Sequence, residues 1–310
     1  MTLLAALLLA LLIDRLWGEP PAAVHPVVAM GFYLKVSGRH LPGLRAAAAF
    51  VAGMLAWCVG MLATGGLAAW LQALALTQLP EFLSVLVLAV LLKPMLSWRM
   101  LRDEVGAVEA ALQQSLEAGR ERLSWLVSRD TAHLSESEVR ESAIESLAEN
   151  LNDSVVAPVF WFVLLGLPGA AMYRFANTAD AMWGYRGVYR GQRWEWAGKW
   201  AARADDVLSW VPARLTALLL ALATGGLAFR ALRTEAGKTP SPNSGWPMAA
   251  MALALGVSLR KPGAYTLNAA GRAPEAADTL LALNSASKVV LALAVLASVA
   301  MLLIAYGGAR

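Results

Sequence analysis

The sequence predicts an all-α, polytopic integral membrane protein with broken or re-entrant helices and a hydrophilic helical arm, and three observations carry that prediction. The chain of 310 residues is 58% hydrophobic and only 15% charged, against roughly 45–50% apolar and 25% charged in an average soluble domain. Its mean hydropathy is +0.54, and apolar runs long enough to cross a bilayer recur along it. Between Arg129 and Arg214, polar residues interrupt these runs at a density that packing alone does not call for. Burying an unpaired ion costs several kcal/mol, so ionisable clusters next to hydrocarbon sequence point to function. A single membrane domain over residues 1–310 is expected, with a water-facing helical segment at about 100–150.

Charge narrows the class. The formal net charge of +4 and the pI near 9.4 would suit nucleic acid in a soluble protein, but Lys and Arg are scattered over loops and helix ends. Scattered cations anchor helices at a bilayer interface, and no nucleic-acid partner is expected. The one cysteine, Cys58, lies in an apolar run. It reads as a small hydrophobe, which excludes a disulfide framework and a Cys-rich metal site.

Taken in order, Met1 to Ile13 is apolar but shorter than the roughly 20 residues of a span, and it stops at Asp14-Arg15. No basic segment precedes it, and Trp17-Gly18-Glu19-Pro20-Pro21 stands where a small-residue cleavage site would be, so a retained helix is expected rather than a signal peptide. His25, before Pro26, reads as packing at the interface. Ala46 to Leu76 is a span, with Gly53, Gly60, Gly65 and Gly66 as the small residues that admit a neighbouring helix. Phe82 to Leu92 is a shorter apolar run ending at Lys93-Pro94. From Met100 to Glu149 the chain turns polar, with Glu109, Glu117, Arg120, Glu121 and Arg122 among Val105, Val108, Leu112, Leu116 and Leu123 at helical spacing. This is the water-facing arm. Val155 to Tyr173 and Val207 to Phe229 are spans interrupted by Pro158, Pro168 and Pro212, as broken helices are where they line a cavity. Trp246 to Val257 is short, as in a re-entrant segment, and Val289 to Tyr306 is the last span. No phosphate-binding loop, dinucleotide turn or H-E-x-x-H helix occurs.

Ser135 with Glu138 three residues on is a capping box. It opens a helix on which Glu141, Glu145 and Glu149 recur every four residues and share one face. Asp153 continues that face unless Asn150-Leu151-Asn152 already leaves the helix ahead of Pro158. Like charges at this spacing repel by roughly a few tenths of a kcal/mol per pair. A hard cation removes the repulsion, and carboxylates with an amide on one face suit Mg²⁺, which keeps waters and bridges to substrate phosphates. Glu145, Glu149, Asn150 and Asp153 are the candidate ligands. The alternative is a solvated acidic face paired with Arg129, Arg140 or Arg203.

Asn177 and Asp180 stand one helical turn apart ahead of Tyr185-Arg186, either as a polar site or as an interfacial cap with aromatic anchors. Trp196, Trp200 and Trp210 read as interface anchors. Arg203 beside Asp205-Asp206 is a structural pair or part of the site. Ser241 to Pro247 leads into a Pro-initiated helix whose free amides suit an anion, or is an ordinary turn.

These motifs carry a resemblance. Asp14-Arg15-Leu16, Gly18-Glu19-Pro20 and His25-Pro26-Val27 resemble the opening of the CobD/CbiB family, the adenosylcobinamide-phosphate synthases of cobalamin biosynthesis. The central match is more specific. Arg129-Asp130-Thr131, Leu134-Ser135, Glu145, Glu149-Asn150, Asp153, Ala157-Pro158, Pro168-Gly169-Ala170, Asn177 to Met182 and Gly184-Tyr185-Arg186 follow the family pattern in order, as do Asp205-Asp206-Val207, Pro212 to Thr216 and Pro242 to Met251. The resemblance covers nearly the whole chain, is densest from Arg129 to Trp246 and thins after Lys261. Arg174 and Arg186 stand where lysine is equally expected, and Lys261-Pro262-Gly263-Ala264-Tyr265 resembles a Gly-Gly-Pro-containing family segment only loosely.

The resemblance implies an ATP-dependent acid-amine ligase that joins the free propionate of adenosylcobyric acid to (R)-1-amino-2-propanol O-phosphate or a related amino-alcohol phosphate. On this reading Glu145, Asp153, Asp180 and Asp206 are the catalytic candidates, with Mg²⁺ on Glu145, Glu149, Asn150 and Asp153 neutralising phosphate charge. Arg129, Asp130, Thr131, Arg174, Asn177, Tyr185, Arg186, Arg203, Arg214, Asn243 and Ser244 are the substrate- and phosphate-binding candidates, the arginines as anion clamps. The expected partners are membrane lipid, the corrinoid and the amino-alcohol phosphate, with a homo-oligomer or other cobalamin-pathway enzymes beside them. The expected place is the inner cell membrane, crossed several times, with the site facing the cytoplasm where ATP is. A transporter or a corrinoid-binding membrane scaffold would share the carboxylates and broken helices. The transporter predicts an internal repeat, and none is visible.

Overall fold

A computed structural model of the chain describes residues 1–307. In chain order the helices are α1 (Thr2–Trp17), α2 (Pro26–Gly38), α3 (Ala46–Gln78), α4 (Glu81–Leu92), α5 (Trp98–Leu112), α6 (Leu116–Leu123), α7 (Glu136–Leu151), α8 (Ala157–Leu165), α9 (Leu167–Trp183), α10 (Lys199–Leu208), α11 (Trp210–Ala223), α12 (Phe229–Ala236), α13 (Gly245–Leu255) and α14 (Ala276–Gly307). Two short antiparallel hairpins, β1 (Val188–Tyr189) with β2 (Gln192–Arg193) and β3 (Leu259–Lys261) with β4 (Tyr265–Leu267), are the only strands among the described residues. The protein is thus helical apart from hairpins too short for sequence alternation to announce. Among the described residues, three helical runs are long and apolar enough to cross a membrane: Ala46–Gln78, Glu81–Leu112 and Ala276–Gly307. A fourth is added if Lys199–Leu208 and Trp210–Ala223, broken at Ser209, count as one.

The expected breaks are present. The run from Val155 to Tyr173 is two helices, α8 and α9, that turn at Gly166 (φ 71°), and α10 and α11 are bent by 46° at Ser209. Pro168 and Pro212 sit in the first turn after each break, where the missing N–H leaves no bond unmade, whereas Pro158 follows a π-helical turn, Asn152–Val156, without a gap.

Contacts divide the chain into two compact units, each built from separated segments, where the sequence suggests one domain. The first comprises Met1–Ser97, Ala157–Leu208 and the chain from Ala297 onward. Here α1 packs on α4, and α9 lies against α2, α3, α8 and α10. Close approach is written into α3: a Cβ at Gly53, Gly60 or Gly65 would strike the Ala197 carbonyl, the Phe175 ring or the Met172 side chain, whereas Gly66 faces open space. The turn at Gly166 is completed by Gln72 of α3, whose Oε1 accepts the Leu167 N–H at 2.7 Å. A buried ion chain ties the first two helices to the turn after α4: Lys93 Nζ lies 3.3 Å from Asp14 and 2.8 Å from Glu19. His25 closes that chain, with Nε2 3.1 Å from Glu19. Its Nδ1 accepts the Val27 N–H at 3.2 Å, so the histidine expected as interface packing is the N-cap of α2.

The second unit comprises Trp98–Val156 and Ser209–Leu296. Its centre is α7, opened by the predicted capping box of Ser135 and Glu138. The segment expected to face water does so only in part, because α7 is buried continuously from Val139 to Ala148. Its charges are neutralised inside the unit. Arg140 gives two hydrogen bonds to Glu109 (2.8 and 2.9 Å), which also accepts the Thr279 hydroxyl at 3.0 Å. Glu141 is held by Arg260. Past Leu151 the chain widens into a π-helical turn, Asn152–Val156. Asn152 fixes that turn, accepting the Thr216 hydroxyl at 3.1 Å and donating to Asp153 Oδ1 at 2.7 Å.

Candidate active site

The four-residue repeat on α7 sets the register of the site. Glu145 and Glu149 fall on one face, as the spacing predicts, and with Asn150, Arg129, Ser142, Ser146, Met248, Lys261 and Tyr265 they line a cavity of about 260 Å3. All of these residues belong to the second unit. Arg129, from the loop after α6, donates through Nη2 to Ser142 Oγ at 2.6 Å and to Glu145 Oε2 at 3.2 Å. Its Nη1 is buried without a hydrogen-bond partner, and so is Oε1 of Glu145. Burial pushes the Glu145 carboxyl above its ordinary pKa, while Arg129, Tyr265 and Lys261 pull the other way. The Tyr265 hydroxyl is raised as well, first by burial and then by the charges of Glu145 and Glu149.

The acidic face is therefore neither solvated nor uniform. Arg129 pairs with Glu145 as one alternative supposes, whereas Arg140 is taken up by Glu109 and Glu136. Glu141 accepts the Arg260 backbone N–H at 2.9 Å and the guanidinium at 2.9 Å, which leaves it no chemical role. Asp153 is carried into the π-helical turn, where Asn152 binds it, and does not line the cavity. A π turn adds a residue to the repeat, so the face begun at Glu141 does not extend through it.

The oxygen donors fit Mg²⁺ in kind. Glu145 keeps a buried, unpartnered carboxylate oxygen, and the Asn150 amide N–H donates to the Ser146 carbonyl at 2.9 Å, leaving its oxygen as an acceptor. No three His, Cys, Asp or Glu side chains are grouped to hold a metal among the described residues. An ion here would draw on Glu145, Glu149 and Asn150 and complete its shell with water and phosphate oxygens, the usual habit of Mg²⁺.

Other predicted residues do local work. Asp130 Oδ1 accepts the Ala132 N–H at 2.9 Å, and the Thr131 carbonyl accepts the Leu134 N–H, so both shape the turn into α7. Arg214 donates to the Trp210 carbonyl (2.7 Å), to Asn243 Oδ1 (2.9 Å) and to the Pro242 carbonyl (3.2 Å), with its guanidinium over the rings of Trp210 and Trp246. That arginine and Asn243 hold the loop before α13. Ser244 is the N-cap residue of α13 without a side-chain capping bond.

In the first unit, α9 and α10 bring a second polar group together. Asn177 Nδ2 donates to Asp205 Oδ1 at 3.4 Å, and the Thr178 hydroxyl donates to the carbonyl of buried Arg174 at 2.6 Å. Asp180 lies one turn along α9, and Asp206 follows Asp205 on α10. Tyr185 stacks on Tyr189 with ring centroids 3.6 Å apart, and burial with that neighbour pushes its hydroxyl up to about 12. Arg186 and Arg203 are exposed. Asp205, one suggested partner of Arg203, accepts from Asn177. Lys261, Tyr265, Ser142 and Ser146 were not anticipated. The first two are more than a hundred residues from Glu145, and no local pattern announces such a contact.

Comparison with known proteins adds the ancestry. Residues 7–300 match the family model described as CobD/Cbib protein. The chain is 44% identical over 265 residues to the cobalamin biosynthesis protein CobD of Chromobacterium violaceum, covering 81% of this chain and 79% of that protein. It is 44% identical over 252 residues to the protein of the same name from Stutzerimonas stutzeri, covering 81% and 80% respectively. With the corresponding protein of Dehalococcoides mccartyi it shares 37% identity over 278 residues, covering 86% and 87%. No solved structure matches the chain.

Proposed function

Because the chain belongs to the CobD/CbiB family of cobalamin biosynthesis, we propose that it is an amide-forming ligase joining adenosylcobyric acid to an amino-alcohol phosphate with hydrolysis of ATP. The observation that carries this reading is the cavity beside α7. A buried carboxylate with a spare oxygen lies there against an arginine with a spare donor.

The chemistry asks for such a pair. A carboxylate is a poor electrophile, so the γ-phosphoryl group of ATP passes to the corrinoid propionate, giving an acyl phosphate and ADP. The amine then attacks the acyl carbon, the C–O bond to phosphorus breaks, and phosphate leaves. Arg129 holds phosphate charge, and the raised pKa of Glu145 lets that carboxylate take the proton the ammonium must lose before it can attack. Mg²⁺, when bound by Glu145, Glu149 and Asn150, supplies neutralisation of phosphate charge. The apolar helices support a multi-pass place in the inner membrane, with the cavity on the cytoplasmic side where ATP is available. Lipid, corrinoid and amino-alcohol phosphate are the proposed partners.

The test is isotopic. ¹⁸O in the corrinoid propionate must appear in released phosphate, because the bridging oxygen of the acyl phosphate leaves with phosphorus. Amide formation with unlabelled phosphate would refute the acyl-phosphate step, and binding without turnover would favour a scaffold.

A further inference from the structure

The β3–β4 hairpin brings to the cavity two side chains that this mechanism does not use. Lys261 and Tyr265 face each other as a cross-strand pair and both line the cavity. The Lys261 ammonium has no ion-pair partner among the described residues, and Nη1 of Arg129 is a second cationic donor left unmatched. The Tyr265 hydroxyl rests on Met248 Sδ at 3.8 Å. Thioether sulfur is a weak acceptor, so that proton is easily redirected.

The hairpin is fixed at its base and open at its tip. Arg260 is bound to buried Glu141. After β4, the Asn268 N–H donates to Glu235 at 2.6 Å, and its Nδ2 donates to the carbonyls of Ala252 and Val257. Between these anchors Pro262, Gly263 and Ala264 are exposed, and the chain turns at Gly263 with φ 73°, a conformation glycine adopts without strain. Lys261 and Tyr265 are thereby delivered to the cavity by strands that cannot drift.

We infer that Lys261 binds a substrate phosphate group beside Arg129. This rests on the ligase reading, in which two phosphate-bearing molecules, the nucleotide and the amino-alcohol phosphate, use the protein. Two cationic groups answer phosphate well: Arg129, whose Nη2 is held by Ser142 and Glu145, offers its Nη1 as a donor, and the Lys261 ammonium adds a point charge. The cavity of about 260 Å3 has room for a phosphate group between the two cations.

Ligand binding by the purified protein tests this without reading amide formation, so the ligase reading can fail separately. Ligand-induced thermal shifts would be titrated with 1-amino-2-propanol O-phosphate, with unphosphorylated 1-amino-2-propanol and with ATP. Lys261→Met is expected to weaken one of the two phosphorylated ligands by at least about tenfold while leaving the unphosphorylated amine unchanged, and the ligand that weakens identifies the owner of the phosphate. Lys261→Arg is expected to recover most of the loss. Unchanged affinity for both phosphorylated ligands in a folded Lys261→Met protein overturns the phosphate role.

Discussion

Glu141 and Arg260 are locked together: the fully buried carboxylate on α7 accepts both the backbone N–H and the guanidinium of a residue at the base of a distant hairpin. One turn on, Glu145 carries the same functional group with an oxygen to spare. Glu141→Gln is therefore expected to lower stability, by about 1–3 kcal/mol, because the Arg260 side chain is 47% exposed and water compensates part of the loss. Thermal melting in detergent checks this, and an unchanged Tm would mean that the pair is dispensable.

Glu145→Gln should do the opposite. Turnover is expected to fall by at least about a hundredfold, the usual weight of a general acid–base group, with Tm held or increased because a charge disfavoured by burial is gone. Wild-type turnover in this variant would remove Glu145 from the chemistry.

The pH dependence follows from the same shift. The folded-state pKa of Glu145 is raised, so protonation favours the folded protein; the contribution is complete below the unfolded carboxylate pKa and is lost as pH rises through the folded value. Measured against Glu145→Gln, the wild type should gain Tm as pH falls through that window. Turnover should run the other way, with an acidic limb above the ordinary carboxylate range, since the base must be ionised to act. A limb at the ordinary carboxylate pKa would contradict the assignment.

Arg214→Lys is expected to lower turnover chiefly by loosening structure. Lysine cannot serve Trp210, Asn243 and Pro242 at once or stack between two indoles, as Arg214 does. Limited proteolysis should cut the loop before α13 faster in this variant, and its stability should fall by about 1–2 kcal/mol, read as a lower Tm. Lost activity with an unaltered cleavage pattern and Tm would return Arg214 to substrate binding.

What the sequence made legible was local. Ser135 and Glu138 announced the start of α7, and a step of four placed Glu145 and Glu149 together. The fate of Glu141 was not legible, because its partner lies 119 residues away and no spacing rule reaches that far. Whether Asp153 continued that face was left open by the sequence for a related reason: the π-helical turn that carries it is fixed by Thr216 through Asn152, a contact across 64 residues.

The bond from Leu167 to Gln72 also has a temporal meaning. The acceptor is made 95 residues before the donor that needs it, so α3 has already been synthesised when the turn at Gly166 emerges. The α8–α9 turn can then form with its leading amide satisfied at once. Rearranging the chain so that α3 is synthesised last would leave that amide waiting, and nascent protein should accumulate as a protease-sensitive form until α3 arrives.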